Sequence, residues 1–229
     1  MQAESAGNLN YNALFLQLNK RFSGGVQFSA SYTFAKALDD APEQNGPSPA
    51  SVSDPSNRAF DRGTSVTDVR HVFAMSLVAR PRFSFTNRIL NSLANNNQIG
   101  LIAIVNSGET FNIITGDLNR DGVADGDRPV GIGRNAGRLP ATISLDARFS
   151  RHFTLRDDLS LELFAEGSNV LNRKNILLYN STSLTAGNVT NSQVNPLTGE
   201  LRSPLPDFRN LSATFRESRQ LQFGVKLHF

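Results

Sequence analysis

The strongest constraint on the fold is an alternation of apolar and polar side chains with a period of two residues. It is clearest between Leu9 and Leu38, where two alternating runs flank Ser23-Gly24-Gly25. Such alternation indicates strands with one apolar face, and a three-residue loop containing glycine suits a tight hairpin. We therefore predict a hairpin in which Phe22 pairs with Val26. This register places the apolar residues of both strands on one face: Leu14, Leu16, Leu18, Phe22, Val26, Phe28, Ala30, Tyr32 and Phe34.

The same alternation recurs in five further segments and predicts seven strands in total. Each has roughly ten residues, the length that a tilted strand needs to cross a bilayer. The connections are tight at 23–25 and 155–158, intermediate at 81–97, and long near 39–68, 116–139 and 170–217. Outer-membrane barrels have short periplasmic turns and longer extracellular loops, whereas compact soluble domains rarely carry several structureless loops beyond about 15 residues. The pattern predicts an all-β fold, an antiparallel transmembrane barrel segment with its long loops outside the cell.

The polar faces of the strands distinguish this fold from a soluble β-sandwich. Soluble surfaces usually carry interspersed Lys and Glu, but here Gln, Ser, Thr and Asn dominate, as in a barrel lumen. Across the turn at 155–158, we expect Arg148 to lie opposite or diagonal to Glu166, within reach of an ion pair. The alternative is a secreted β-sandwich that binds calcium or glycans through its loops. The predicted lumen-lining residues are Gln17, Asn19, Gln27, Ser29, Thr33, Arg148, Glu162 and Glu166.

Composition and charge exclude several classes of protein. The chain has no cysteine, which removes disulfides, thiolate zinc sites and cysteine nucleophiles. Its net charge of +3 is too small for a dedicated nucleic-acid binder, and no apolar run approaches the 18 or so residues of a membrane-spanning helix. His71, His152 and His228 lie on different strands without an acidic or serine partner at a recognisable spacing. We therefore predict no catalytic centre and no enzyme.

The first five residues contain neither the basic nor the apolar region of a secretion signal. The sequence as given is therefore expected to be either a cytosolic protein or a fragment.

One loop has the spacing of a calcium site. Residues 117–127 place oxygen-bearing side chains at positions 1, 3, 5 and 9, with glycine at position 6, and calcium loops use this spacing because hard oxygen ligands must converge from one turn. Arg128 replaces the bidentate glutamate of an EF-hand. We expect either a weak calcium site, with no other cofactor required, or an Asx-rich turn without metal. The candidate ligands are Asp117, Asn119, Asp121, the carbonyl of Val123, and Asp125.

Arginines are frequent at or near the long-loop end. They are expected either to meet anionic lipopolysaccharide or substrate, or to be ordinary solvated charges. The residues are Arg58, Arg62, Arg70, Arg134 and Arg138.

The last eight residues, Gln222-Phe223-Gly224-Val225-Lys226-Leu227-His228-Phe229, resemble the terminal signal read by the bacterial barrel-assembly machinery. Gln222, Gly224, Leu227 and Phe229 occupy its polar, glycine, apolar and final aromatic positions. Upstream segments are similar, in the same order, to the late-barrel strands of Oar-like TonB-dependent receptors. These segments are Tyr11-Asn12-Ala13-Leu14, Lys20-Arg21-Phe22-Ser23, Ala30-Ser31-Tyr32-Thr33-Phe34-Ala35-Lys36, Asp61-Arg62-Gly63, Asp68-Val69-Arg70-His71, Gly133-Arg134-Asn135 and Gly137-Arg138.

This resemblance implies that residues 1–229 are the C-terminal part of a barrel of about 22 strands. The full receptor would import a substrate through TonB, with an N-terminal plug and a TonB box that this sequence does not show. Its implied partners are outer-membrane lipid, the barrel-assembly machinery, TonB, the plug and an unknown substrate, and no nucleic acid. Seven strands cannot close such a barrel, so we expect two unpaired edges.

Overall fold

The computed structural model describes residues 7–40, 57–113, 128–156, 158–179, 213–215 and 218–229. Seven long strands form one antiparallel sheet and follow one another in chain order. The predicted strands and their antiparallel order are therefore confirmed. The strands are β1 (Leu9–Ser23), β2 (Val26–Asp39), β3 (His71–Ala79), β4 (Asn97–Asn106), β5 (Thr142–Arg156), β6 (Leu159–Ser168) and β7 (Gln220–His228).

Because the strands form a meander, its connections separate to the two ends of the sheet. We call the end that joins β1 to β2, β3 to β4 and β5 to β6 the turn end. The opposite end, where the three long connections leave the sheet, is the loop end. Among the described strands, β1 and β7 each pair on one side only, so the sheet is open as expected.

Smaller elements occupy the connections. At the loop end, Gly63–Thr64 pairs with the end of β2, and two further ribbons pair Thr110–Phe111 with Gly137–Arg138 and Ile176–Tyr179 with Ala213–Phe215. A short 3-10 helix covers Arg58–Asp61, and the helix α1, which the sequence analysis did not predict, covers Arg88–Ala94 at the turn end. Within the described ranges, no helix is both long and apolar enough to cross a membrane.

The first hairpin has the predicted register except at its turn. Leu14, Leu16 and Leu18 lie opposite Phe34, Tyr32 and Ala30, as predicted. The predicted pairing of Phe22 with Val26 is wrong, because Ser23 pairs with Val26 instead. Gly24 and Gly25 both have positive φ, 62° and 80°, so they form a two-residue turn of the kind that suits a hairpin. An irregularity between Lys20 and Ser23 absorbs the one-residue difference.

The apolar face continues from strand to strand across the sheet. One row joins Leu16, Tyr32, Phe73, Val105 and Ile143 as successive cross-strand partners.

This face is largely uncovered: Leu16 is 54% exposed and Phe223 77% exposed. The hydrophobic residues that are buried in the described part of the chain are Ala35, Ala37, Ile113 and Leu139. A β-sandwich packs its apolar face against a second sheet, and the described elements do not provide one.

Candidate functional site

The polar face of the sheet holds the predicted lumen-lining residues together. Gln17 lies opposite Ser31, and Asn19 opposite Ser29, whose hydroxyl donates a hydrogen bond of 2.7 Å to the Asn19 Oδ1. Thr33 and Gln27 lie on the same side of β2, since their positions differ from Ser29 by even numbers. The structure therefore groups these residues on one surface.

An arginine between two glutamates is the most strongly charged part of this surface. Arg148 lies directly opposite Glu166, as predicted, and its Nη1 donates to the Glu166 Oε2 at 2.5 Å. Its Nη2 donates at 3.0 Å to Oε1 of Glu162, which lies four residues before Glu166 on the same face of β6. The guanidinium also lies 4.1 Å from the centre of the Phe164 ring, close enough for a cation–π contact. One positive charge thus joins β5 to β6 through two carboxylates and an aromatic ring.

Two histidines approach the same glutamate, which the sequence analysis missed. His152 lies opposite Glu162, with Nε2 3.9 Å from Oε2, and the Nε2 of His228 is 3.5 Å from that oxygen. The expectation that these histidines lack an acidic partner is therefore wrong. The described residues contain no group of three or more acidic or histidine side chains suited to a metal ion. The arrangement is an electrostatic cluster on the last three strands.

The terminal strand β7 has one residue of special geometry, Gly224. It lies opposite Phe164, and a Cβ added at Gly224 would overlap that aromatic ring. The ring therefore covers the glycine backbone. Gln222, on the same face, lies opposite Glu166. Leu227 lies on the opposite, apolar face and is 53% exposed, while Phe229 is 98% exposed.

At the loop end, Asp68 is completely buried and joins three parts of the chain. Its Oδ1 accepts the backbone N–H of Ala37 at 2.8 Å, its Oδ2 accepts a hydrogen bond from Arg138 at 2.5 Å, and Arg70 is 3.6 Å away. Burial by itself raises the pKa of Asp68, but the hydrogen bonds from Ala37 and Arg138 and the two positive charges outweigh it and hold the pKa below its ordinary value. Asp68 is therefore ionised at neutral pH.

Two other arginines at the loop end, Arg128 and Arg134, are buried. Arg128 donates two hydrogen bonds of 3.1 Å to the Asp61 carboxylate, and Arg134 forms an ion pair with Asp39. Burial lowers the pKa of the Arg134 guanidinium. Asn135, in the left-handed conformation with φ of 51°, donates to the carbonyl of Thr64 at 2.9 Å. These contacts fix the segments 60–70 and 128–138 against each other.

The proposed role of the loop-end arginines changes accordingly. Arg70, Arg134 and Arg138 contact carboxylates of this chain, so they hold the loop segments together rather than forming a free anion-binding patch. Arg62 is exposed. The candidate calcium ligands Asp117, Asn119, Asp121, Val123 and Asp125 lie outside the described residues.

The family model for the outer membrane beta barrel domain matches residues 1–132 of the chain. No curated protein matches the chain. The family match and the antiparallel sheet together identify a segment of an outer-membrane β-barrel, and the protein is located in the bacterial outer membrane.

Proposed function

The chain belongs to the outer membrane beta barrel domain family, and we propose that it is the C-terminal part of an Oar-like TonB-dependent receptor that imports a substrate. In this proposal the apolar face contacts lipid and the polar face lines the lumen. The open edges of β1 and β7 pair with barrel strands outside this sequence, because an exposed strand edge in a bilayer leaves backbone groups without hydrogen bonds.

The observation that supports this proposal is the way the segments that carry the family resemblance meet in space. Asp68 binds Arg138 across 70 residues of sequence, and Asn135 binds the residue next to Gly63. Gly63 itself packs so closely on Arg134 that an added Cβ would lie 2.9 Å from the Cβ of Arg134. Residues that look scattered in the sequence thus form one structural unit, as expected if the resemblance reflects a shared fold.

The charged cluster around Arg148 has a role in the same proposal. The cluster lies on the polar face between Glu162 and Glu166. In a closed barrel it would line the lumen beside the plug or the transport path. The partly exposed guanidinium of Arg148, 31% accessible, is then the group that the plug or the substrate meets.

The terminal strand has a separate role, in assembly. Phe229 is almost fully exposed and Leu227 lies on the lipid side, so both are available to the barrel-assembly machinery before the barrel closes. Gly224 and Gln222 lie on the other face of the strand. We propose that this strand is recognised by that machinery and then pairs with the first strand of the complete barrel.

Single introduced cysteines test the orientation, because the chain contains none of its own. Val66 is exposed at the loop end and Leu155 at the turn end. In intact cells, a membrane-impermeant maleimide should label Val66→Cys and leave Leu155→Cys unlabelled until the outer membrane is permeabilised. The reverse labelling pattern would contradict the proposed orientation.

The transport role needs a second measurement, made on the full-length protein in its own bacterium. Gln17 lies on the polar face of β1, so a cysteine there reports whether the lumen is open. Its labelling from outside should fall in a strain without TonB, because displacement of the plug requires TonB. Val66→Cys serves as the matched control and should be labelled equally in both strains. Equal labelling of Gln17→Cys in the two strains would contradict TonB-dependent transport.

A further inference from the structure

The connection between β3 and β4 exposes an unusual amount of apolar surface at the turn end. On α1, Ile89 is 71% exposed, Leu93 58% and Leu90 53%. Just before the helix, Phe83 and Phe85 are each nearly half exposed, with ring centres 5.7 Å apart. Contiguous apolar surface of this kind marks a site of contact with a membrane or a protein.

This exposure is not that of a loose loop, because three asparagines fix the backbone of the segment. Asn87 caps the first turn of α1 with its side chain. Asn91 Oδ1 accepts the N–H of Phe85 at 3.2 Å, and Asn95 binds both the N–H and the carbonyl of Phe83, at 2.8 and 2.9 Å. The segment thus satisfies these backbone groups internally, which is what a membrane environment requires.

The helix is attached to the apolar side of the sheet. Arg151 donates to the carbonyls of Ser92 and Leu93, each at 2.7 Å, and Asn97 donates to the same Leu93 carbonyl at 2.8 Å. Arg151 and Asn97 are cross-strand partners whose side chains continue the apolar rows of β5 and β4 toward the turn end. The exposed side chains of α1 therefore extend the lipid-facing surface of the sheet.

The charge of the segment identifies the surface that it meets. Residues 80–106 contain Arg80, Arg82 and Arg88 and no aspartate or glutamate, and Arg82 and Arg88 are exposed. An apolar helical surface flanked by basic residues lies in the plane of a membrane interface and prefers anionic lipid. Five large apolar side chains with two exposed arginines match that description.

We propose that residues 82–95 form an interfacial anchor, which inserts Phe83, Phe85 and the apolar residues of α1 into the phospholipid leaflet at the turn end. Arg82 and Arg88 bind the anionic headgroups of that leaflet. The inference rests on the proposed lipid contact of the apolar face. It adds a lipid-binding site that fixes the depth and tilt of the sheet at its turn end.

Tryptophan fluorescence tests this anchor, because the chain contains no tryptophan of its own. Single tryptophans replace Ile89 in the anchor, Leu16 in the middle of the apolar face and Val66 at the loop end. The full-length protein, with any tryptophan outside residues 1–229 replaced by phenylalanine, is inserted into vesicles of phosphatidylcholine that carries bromine on its acyl chains. Bromine should quench the tryptophans of Ile89→Trp and Leu16→Trp and leave that of Val66→Trp bright.

The three positions separate the anchor from the membrane contact on which it rests. Quenching at Leu16→Trp without quenching at Ile89→Trp would overturn the anchor and keep the lipid-facing sheet. Absence of quenching at both Leu16→Trp and Ile89→Trp would overturn the lipid contact of the sheet as well. An Ile89→Trp tryptophan shielded from both the bromine and aqueous iodide would show that protein, such as a second copy of the chain, covers the helix, and would also overturn the proposal.

A separate experiment tests the preference for anionic headgroups. Brominated phosphatidylglycerol, at the same fraction of total lipid, should quench Ile89→Trp more strongly than brominated phosphatidylcholine. Each basic residue near an anionic surface raises local affinity on the order of fivefold. Replacing Arg82 and Arg88 with glutamine should remove this preference while leaving the quenching by phosphatidylcholine. A preference unchanged by the substitutions would overturn the role of the two arginines.

Discussion

Leu16 and Gln17 offer a direct comparison of the two faces of the sheet. They are neighbours at the middle of β1, at the same depth, with Leu16 on the apolar face and Gln17 on the polar face. Leu16 is 54% exposed, so an arginine there changes what the side chain contacts outside the protein more than how it packs. An arginine that faces lipid at the bilayer midplane costs about 2–4 kcal/mol. Leu16→Arg should lower the free energy of unfolding by that amount.

Gln17→Arg should cost much less, because substitutions on the lumen side do not place charge in lipid. A difference of roughly 2 kcal/mol corresponds to about a 30-fold change in the folding equilibrium. It is measured by circular dichroism during guanidinium titration of the full-length protein in phosphatidylcholine vesicles. Leu16→Ala separates the loss of the leucine from the gain of the charge. Equal costs at the two positions, or a larger cost at Gln17, would refute the assignment of the faces.

Three further changes test the site. Asp68→Asn should cost about 2 kcal/mol, the value of hydrogen bonds to a charged group. Because the folded-state pKa of Asp68 is depressed, its stabilisation is present above the ordinary pKa and lost as pH falls through the folded-state value. Acid should therefore lower the protection factor for amide exchange at Ala37, measured relative to the intrinsic exchange rate at each pH, in the wild type and not in Asp68→Asn. Gly224→Ala should cost about 1–3 kcal/mol through overpacking, measured by the same guanidinium titration, and should be less costly in a Phe164→Ala background. Calcium should slow hydrogen exchange in residues 117–125 if the predicted site exists, and unchanged exchange would refute it.

The strands could be predicted because their signal is local. Apolar alternation fixes which face each residue occupies, and the two glycines between β1 and β2 leave little choice of register. The prediction was wrong by one residue at Ser23. A two-residue glycine turn together with a bulge gives the same pairing from Leu9 to Lys20 as a three-residue loop does. The helix α1 carried a usable signal, Asn87 before Ile89, Leu90 and Leu93, but it is short and lies in what looks like a connection.

The cluster around Glu162 shows how far register arithmetic extends. In an antiparallel strand pair, the residue numbers of opposite partners add up to a constant. The register that places Arg148 opposite Glu166 therefore also places His152 opposite Glu162. That contact was therefore available from the sequence. His228 reaches the same glutamate through the pairing of β6 with β7, across a connection too long to fix a register. A slip of one residue there would turn the histidine to the other face.

Arginine has opposite roles at the two ends of the sheet, and a net charge of +3 conceals them. At the loop end, Arg128 and Arg138 are bound to the carboxylates of Asp61 and Asp68, so their charge is neutralised within the protein and stabilises the loop segments. At the turn end, the connection between β3 and β4 contains Arg80, Arg82 and Arg88 and no carboxylate. Burying an unpaired charge is unfavourable, so we expect these arginines to remain at a surface, where in the proposed anchor anionic headgroups balance them. This asymmetry favours a single orientation of the sheet in the membrane, with its turn end at the phospholipid leaflet.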